Sequence, residues 1–427
     1  MSRPASHLVR TLLAGGLLLA AAAPLAAQDV TVTLKGTKLS VKGGLLAEEI
    51  SISTSAITDG EGGGPTTDPV VVTPAKGTTL NGAPDALTFD AVKTLVIDMD
   101  EEADLVHFVD FTFGGAITLH AGTGNDVVDY VGCVLGGTQK LFGDDDDDTF
   151  TLGTSTITGK LTLNGGDGNL TMTATDTNLV DTTVTGGTGD NAVTWTTVAV
   201  KGKVRLKLKQ GNDTVVFTGV DIGLKTDVNL SKGDNSFTAT GCSLNDQLKL
   251  VGANDADTVS FEDSSIGLAL KATLGGGANS FALNSVAAAM QVGEQLIVKG
   301  GPDADTVTFA AGETKGLVVQ VGEFAKVSLS GGGNTVTSTG VLQVGTDFKY
   351  SGGGDDDSVS LDGAGIGEDF TASLAAGNNN VTLNDTIVGN NLKITAGSGD
   401  DTVAFTGTTS ITGKQTIKLG GGDNTQP

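Results

Sequence analysis

The sequence predicts an all-β chain folded as one parallel β-solenoid of about fifteen 22-residue coils, with three short strands per coil. Composition is the first observation behind this. The 427 residues include 64 glycines, much Thr and Val, and only 4% aromatic residues, which favours short strands and many turns over helices. The second is that the phrase Gly-x-Asp/Asn-x-Val-x-Phe recurs, in most cases every 22 residues. The third is that apolar residues alternate within each copy, as in buried strands.

The first 27 residues read as a cleaved secretory signal. Arg3 and Arg10 provide a basic start, residues 11–23 are small or apolar, and small residues precede Gln28. The apolar run has 13 residues, too few to cross a bilayer that needs about 20. The sequence therefore predicts an exported protein without a membrane span, in the extracellular space, at the cell surface or in the periplasm.

Residues 28–78 depart from the period. Alternating apolar residues in Val30–Leu34 and Leu39–Val41 predict a hairpin that caps the first coil, and the Gly/Pro-rich stretch 59–69 predicts a loop. Residues 79–427 are then the solenoid.

The Asp or Asn of each phrase marks the register of one coil. The residues two and four after each mark share one face of a strand and are predicted to point inward, as in Val215/Phe217 and Val259/Phe261. The marks are Asp85, Asp104, Asp126, Asp148, Gly168 (by alignment), Asn191, Asp213, Asn235, Asp257, Asn279, Asp305, Asn334, Asp357, Asn379 and Asp401.

Coil length, stacking and turn Asn/Asp resemble those of the bacterial right-handed parallel β-helix proteins, among them polysaccharide lyases, passenger domains and adhesins. This resemblance covers about residues 80–424 and implies right-handed winding. Turns such as Gly122–Asp126 and Gly397–Asp401 are also similar to the calcium-binding nonapeptides of RTX β-rolls. RTX nonapeptides follow one another directly, whereas here one turn occurs in each coil.

From Asp213 to Asp401 the marks alternate strictly between Asp and Asn. Carboxylates on alternate coils would lie roughly 9.6 Å apart, too far for one calcium ion to bridge. The alternation therefore predicts a structural ladder in which Asn amides donate hydrogen bonds to neighbouring Asp carboxylates.

The N-terminal coils break this alternation, because the marks Asp104, Asp126 and Asp148 follow one another without an Asn between them and one turn holds five consecutive acids. Packed carboxylates repel unless a cation intervenes. If the chain binds calcium, these residues are the predicted ligands; a solvated acidic loop is the alternative. The candidate ligands are Asp104, Asp126, Asp144, Asp146 and Asp148.

Charge and rare residue types bear on partners and catalysis. The formal net charge of −25 argues against nucleic acid as a partner. After residue 27 the chain has one Arg (Arg205) and one Trp (Trp195), and its two His, His107 and His120, fall on different strands. This pattern predicts no catalytic site and no cofactor other than calcium, with a polysaccharide lyase or hydrolase as the enzyme alternative.

Basic residues recur eight positions before the marks and are predicted to form a broken column along the rod. Surface solvation and contact with an anionic glycan are the two interpretations. The column comprises Lys140, Arg205, Lys249, Lys271, Lys326, Lys349 and Lys393.

Cys133 and Cys242 occupy the same column, seven residues after their marks and five coils apart. That is roughly 24 Å, against a limit of about 7 Å for a disulfide. Two free thiols at an inward or corner site, equivalent to Val198, Val220 and Val286, are therefore predicted.

Three function classes stay open at this point: a structural or adhesive surface protein, a calcium-stabilised secreted solenoid, and a polysaccharide-degrading enzyme. A glycan or another cell-surface component is the predicted partner of the first. Because the sequence stops part-way through a coil after Asn424, end-to-end self-association through the C-terminal edge is also predicted.

Overall fold

The computed structural model describes residues 28–54, 69–312, 314 and 317–427. In this part the chain is all-β and stacks parallel coils of about 22 residues into a β-solenoid of about 15 turns. The predicted fold class is confirmed. The predicted signal sequence and most of the predicted Gly/Pro-rich loop lie outside the described residues.

Each coil contributes one strand to each of three sheets. The strands of the first sheet are Gln28–Lys35, Lys38–Lys42, Thr78–Leu80, Thr94–Asp98, Ala116–Thr123, Gln139–Asp145, Leu161–Asn164, Thr182–Thr185, Val204–Lys207, Thr226–Ser231, Leu248–Gly252, Leu270–Thr273, Leu296–Lys299, Ala325–Ser328, Phe348–Ser351, Phe370–Ser373, Leu392–Thr395 and Gln415–Lys418.

The second sheet follows the turn that carries the register marks. Its strands are Glu49–Thr54, Val70–Pro74, Leu87–Phe89, Leu105–Val109, Val127–Val131, Asp148–Gly153, Leu170–Thr175, Ala192–Thr196, Thr214–Thr218, Ser236–Thr240, Thr258–Glu262, Ser280–Ser285, Thr306–Ala311, Thr335–Thr339, Ser358–Asp362, Asn380–Asn384 and Thr402–Thr406.

The third sheet is made of very short strands, which turn the chain back towards the first sheet of the next coil. They are Thr112–Phe113, Val134–Leu135, Thr156–Ile157, Asn178–Leu179, Ala199–Val200, Asp221–Ile222, Ser243–Leu244, Ser265–Ile266, Met290–Val292, Val319–Val321, Leu342–Val344, Ala364–Ile366, Ile387–Val388 and Ser410–Ile411.

A single core runs along the inside of the stack because alternate strand residues of all three sheets point inward. The predicted inward pairs from Val106/Phe108 to Val381/Leu383 are buried. Aromatic rings of successive coils contact one another in this core, and Trp195 stacks on Phe217 with ring centroids 5.0 Å apart. Stacking thus supplies the core that no 22-residue coil could form alone.

The register mark at Gly168 is wrong by two residues. Asp148 pairs with Leu170, and Phe150 pairs with Met172, so the residue at this position of the stack is Leu170. It is fully buried and replaces the usual Asp or Asn. The sequence alignment missed it because this coil has no polar residue at the mark, and Gly168 instead lies in the turn with φ of 88°.

The mark at Asp85 is also wrong. Asp85 is exposed, and Leu87–Phe89 pairs antiparallel with Val70–Pro74. The strand that stacks in parallel against Leu105–Val109 is Glu49–Thr54, which places Glu48 next to Asp104 in the column of marks. Residues 38–54 therefore join the stack, whereas the sequence suggested that all of 28–78 departs from it.

Antiparallel strands cover the N-terminal end of the stack. Gln28–Lys35 and Lys38–Lys42 form the predicted hairpin, and Val70–Pro74 pairs antiparallel with Glu49–Thr54. These pairings satisfy backbone groups that parallel coils would leave open at a sheet edge. At the other end of the described chain, the apolar residues of the last coil are only half-buried; they include Phe405, Ile411, Ile417 and Leu419.

Both cysteines are free and buried, as predicted. Val198 and Val220 occupy the same inward column, but Val286 is 58% exposed, so its predicted equivalence is wrong. Strand pairing places the fully buried Met290 opposite Ser264 in this column, because extra residues in this coil lie between Val286 and the third-sheet strand Met290–Val292.

Candidate functional site

The register marks form a hydrogen-bonded inner ladder along the turn between the first and second sheets. The backbone N–H of one mark donates to the side-chain oxygen of the mark on the next coil, as from Asp213 to Asn235 at 2.9 Å and from Asn279 to Asp305 at 3.0 Å. The Asn Nδ2 atoms donate to the following Asp, as from Asn235 to Asp257 at 2.9 Å. The predicted Asn–Asp ladder is thus present.

At Asp257, Asp305 and Asp357, space for the second carboxylate oxygen comes from a glycine five residues before the mark. A Cβ at Gly252 would overlap the Oδ2 atom of Asp257, and a Cβ at Gly300 would overlap that of Asp305. Four Asn coils carry leucine at this position instead: Leu230, Leu274, Leu329 and Leu374. From Leu230 to Leu374 the repeating unit is therefore a pair of coils.

The three N-terminal marks lack this alternation. Asp104 donates from its backbone N–H to Asp126 at 2.7 Å, Asp126 donates to Asp148 at 3.1 Å, and Glu48 donates to Asp104. Each of the four carboxyl groups is at most 3% exposed. Each also has a second oxygen that is buried without a hydrogen-bond partner among the described residues. The result is four buried carboxyl groups in successive coils with no amide between them.

Burial raises the pKa of all these carboxyl groups. The pKa is about 8 for Asp104, about 7 for Asp126 and about 8 for Asp148, because desolvation is reinforced by neighbouring carboxylates. Asp213 and Asp257 also have raised pKa values, but only to about 6, since an Asn side chain donates to each of them. The missing Asn neighbours thus distinguish the N-terminal run from the rest of the ladder.

The candidate calcium ligands fall into two sets. Asp104, Asp126 and Asp148 line the buried ladder, whereas Asp144 and Asp146 lie on the outer side of the turn. Asp144 accepts a hydrogen bond from His120 Nδ1 at 2.9 Å, and Asp146 accepts one from the Gly124 N–H at 3.2 Å. Within the described residues, no three or more His, Cys, Asp or Glu side chains are grouped as a metal site.

A second, outer ladder lies one residue before the marks and was missed from the sequence. Here the bonds run in the opposite direction: the backbone N–H of a coil donates to the side chain of the preceding coil. Asn212 donates to Asp190 at 2.6 Å, and Asp234 donates to Asn212 at 2.9 Å. The sequence pattern that could have predicted this ladder is the recurrence of Asp-Asn and Asn-Asp dipeptides at successive turns. Two ladders of opposite direction thus tie the same turns together.

The two histidines outside the predicted signal each contact carboxylates on separate sheets. His107 lies on the outer face of the second sheet, with Nδ1 3.1 Å from Asp129 and Nε2 3.9 Å from Glu49. His120 lies on the first sheet and stacks on Phe142, with centroids 4.4 Å apart and planes 4° apart. The structure therefore does not bring the two histidines into one site.

The predicted basic column is a real feature of the first sheet. Strand pairing places all its members in one outward-facing row, which we name the cationic file. All are exposed except Lys271, which is half-buried. The cationic file comprises Lys140, Arg205, Lys249, Lys271, Lys326, Lys349 and Lys393.

A shallow groove of about 400 Å³ crosses the cationic file near Arg205. Asp227 lies in its floor, 2.9 Å from Lys225 Nζ and 4.0 Å from Arg205 Nη2. Lys207 and Lys249 complete its basic lining. The groove thus carries four cationic side chains against one carboxylate.

Comparisons with known proteins give no match: no family model, no curated protein and no solved structure matches the chain. The part of the chain that the structure describes has no helix that could span a membrane.

Proposed function

We propose that this chain is an exported, non-enzymatic structural or adhesive protein whose function depends on a rigid β-solenoid. The observation that carries the proposal is a pair of hydrogen-bonded ladders that pass through the same turns. At Asn212–Asp213 the outer ladder passes through Asn212 and the inner ladder through Asp213, and their hydrogen bonds run in opposite directions along the rod. Such ladders resist sliding of one coil over the next in either direction. The outer ladder links the coils from Asn125 to Ala256 and again from Asp356 to Asp423, and in these parts of the rod the two ladders together hold surface residues at constant spacing.

A rod of about fifteen coils at roughly 4.8 Å per coil is about 70 Å long. Small-angle X-ray scattering of the chain that starts at Gln28 tests this. We expect the pair-distance distribution of an elongated particle whose length, after correction for its cross-section, is about 70 Å. A compact particle, or one whose length varies with temperature well below unfolding, would contradict the proposal.

Export rests on the composition of residues 1–27. We expect the full-length chain, expressed in a secreting bacterial host, to be recovered outside the cytoplasm with Gln28 as its first residue. Mass spectrometry measures this directly. A cytoplasmic product that keeps Met1 or Ser2 would contradict the export part of the proposal without affecting the rod.

The non-enzymatic part of the proposal is supported by the placement of the histidines on separate sheets, His107 with Asp129 and His120 with Asp144. A screen for cleavage of acidic and neutral polysaccharides tests it. Turnover that is lost in a His120→Gln variant would favour the enzyme alternative.

Self-association through the last coil is the remaining part. It is supported by the half-buried apolar residues Phe405, Ile411 and Ile417 at that end, in contrast to the N-terminal end, which antiparallel strands cover. A rod with one covered end and one uncovered end favours a pair of chains joined at their last coils over an open filament.

A further inference from the structure

We propose that the cationic file binds a linear acidic glycan that lies along the rod axis. The inference rests on the proposed adhesive function and names its ligand class. The seven cations lie within one row that spans eleven coil-to-coil steps, from Lys140 to Lys393, or roughly 53 Å. Asp227 is the one acid in that row over this span.

The cations of the file are mostly not neutralised by the protein itself. Arg205 contacts Asp227 and Lys349 contacts Asp347. The other five have no ion pair or side-chain hydrogen bond among the described residues: Lys140, Lys249, Lys271, Lys326 and Lys393. Their charge is therefore available to an external anion.

Two structural explanations for the file are weaker than binding. Lysines that guard a sheet edge lie on unpaired strands, whereas strands such as Leu248–Gly252 and Ala325–Ser328 are paired on both sides. Solubility is also not served, because cations reduce the magnitude of a net charge that is already −25. An anionic partner therefore explains the row of cations better than either structural explanation.

The same face offers an aromatic surface. Phe142 is half-buried and stacks on His120, and it lies two residues from Lys140 on one strand. Strand pairing places Phe142 and Lys207 in one row, three coils or roughly 14 Å apart. An outward ring beside cations suits a sugar ring that carries an acidic group, since apolar and polar contacts then fall on one ligand.

The spacing of the file favours a sparsely charged polymer. Neighbouring cations are one to three coils apart, or roughly 5–14 Å, whereas duplex DNA carries one charge per about 1.7 Å. A densely charged nucleic acid would also meet the acidic turns at the end of the same strands, such as Asp145–Asp147. An acidic peptide would lack an edge to extend, because backbone groups within the sheet are already paired.

The test compares two acidic glycans, polygalacturonate for carboxylates and chondroitin sulfate for sulfates, with neutral dextran. Binding to the chain from Gln28 is measured by biolayer interferometry at two salt concentrations. The variant Lys249→Thr/Lys271→Thr/Lys326→Thr removes three cations of the file. It replaces them by threonine, which the same row already contains at Thr162, Thr183 and Thr371. We expect its Kd for the bound acidic glycan to rise by about 10- to 100-fold.

The matched control removes three exposed lysines outside the file, as Lys35→Thr/Lys76→Thr/Lys201→Thr, and should leave the Kd within about twofold. An equal loss of affinity in both variants would overturn the proposal. A natural chain that binds neither of the two acidic glycans would also overturn it. Tighter binding of polyglutamate or of a single-stranded oligonucleotide would overturn the glycan class. Scattering on the same samples reports the rod separately, so that a failed rod and a failed ligand are distinguished.

Discussion

The backbone N–H of Asp104 donates a 2.7 Å hydrogen bond to Oδ1 of Asp126, the carboxyl group of the next coil. Elsewhere in the ladder such a carboxyl group also accepts a bond from an Asn amide, as Asp257 does from Asn235. The N-terminal coils therefore stack acids directly on acids, and this decides how the protein responds to pH.

Stability should fall as the pH rises through neutrality. The folded-state pKa values of about 8, about 7 and about 8 for Asp104, Asp126 and Asp148 lie above the value of about 3.9 for an unfolded Asp. The folded chain therefore holds protons that the unfolded chain has released, and its free energy of unfolding decreases from about pH 4 to about pH 8. Thermal unfolding between pH 5 and pH 8.5 measures this. A Tm that rises with pH over that range would contradict it.

The Asp126→Asn variant should be more stable than the natural chain at pH 8, by about 1–2 kcal/mol. It places an amide between the carboxyl groups of Asp104 and Asp148, and this amide can donate to Asp148 and to the Gly124 carbonyl. Asn235 makes the equivalent bonds to Asp257 and Gly233. Urea unfolding at pH 8 and pH 5.5 is the measurement, and the gain should shrink at the lower pH.

Asp213→Asn is the matched control for this variant. Asp213 already lies between two Asn residues and accepts a 2.7 Å bond from Asn191 Nδ2, so that the same substitution removes a charge-assisted bond and adds nothing. We expect no gain in stability. An equal gain in both variants would show that the alternation itself is irrelevant.

Phe217→Ala should cost about 3–5 kcal/mol because it leaves a cavity in the middle of the core. Phe217 is fully buried and contacts Trp195 and Phe237. The same substitution at Phe405, which is half-buried in the last described coil, should cost clearly less. Denaturant unfolding compares the two, and similar losses would contradict the register of the inward pairs.

The thiols of Cys133 and Cys242 should react slowly in the folded protein and fast after unfolding. Both are buried, and burial raises the pKa of each thiol, which lowers the fraction of reactive thiolate. Titration with a chromogenic disulfide under native and denaturing conditions measures the two rates. Cys133→Ser, the residue type found at Ser155 and Ser264 in the same column, should remove one thiol and keep the fold.

Calcium should bind weakly at most, with a Kd in the roughly 10⁻⁴–10⁻³ M range. The oxygens of Asp104, Asp126 and Asp148 point into the rod, whereas Asp144 and Asp146 are the accessible members of the candidate set. Calorimetric titration of the natural chain and of Asp144→Asn/Asp146→Asn measures this, and the variant should lose any heat of binding. Tight sites that persist in the variant and depend on Asp213 or Asp305 would contradict the prediction.

The sequence by itself determined the period, the three strands per coil and most of the inward pairs. It also determined the alternation of Asp and Asn from Asp213 to Asp401 and the row of cations. These features repeat at a constant distance along the chain, and each depends only on whether a residue faces inward, outward or into a turn. Strand geometry and hydrophobic alternation specify that choice locally.

Only the tertiary structure placed Glu48 next to Asp104 and Leu170 next to Asp148. Neither coil carries an Asp or Asn at the mark, and so residue type could not reveal the register that backbone pairing sets. The same holds for the outer ladder and for the pairs His107–Asp129 and His120–Asp144. Each of these contacts joins residues of neighbouring coils, and the stacking of whole coils decides which side chains meet.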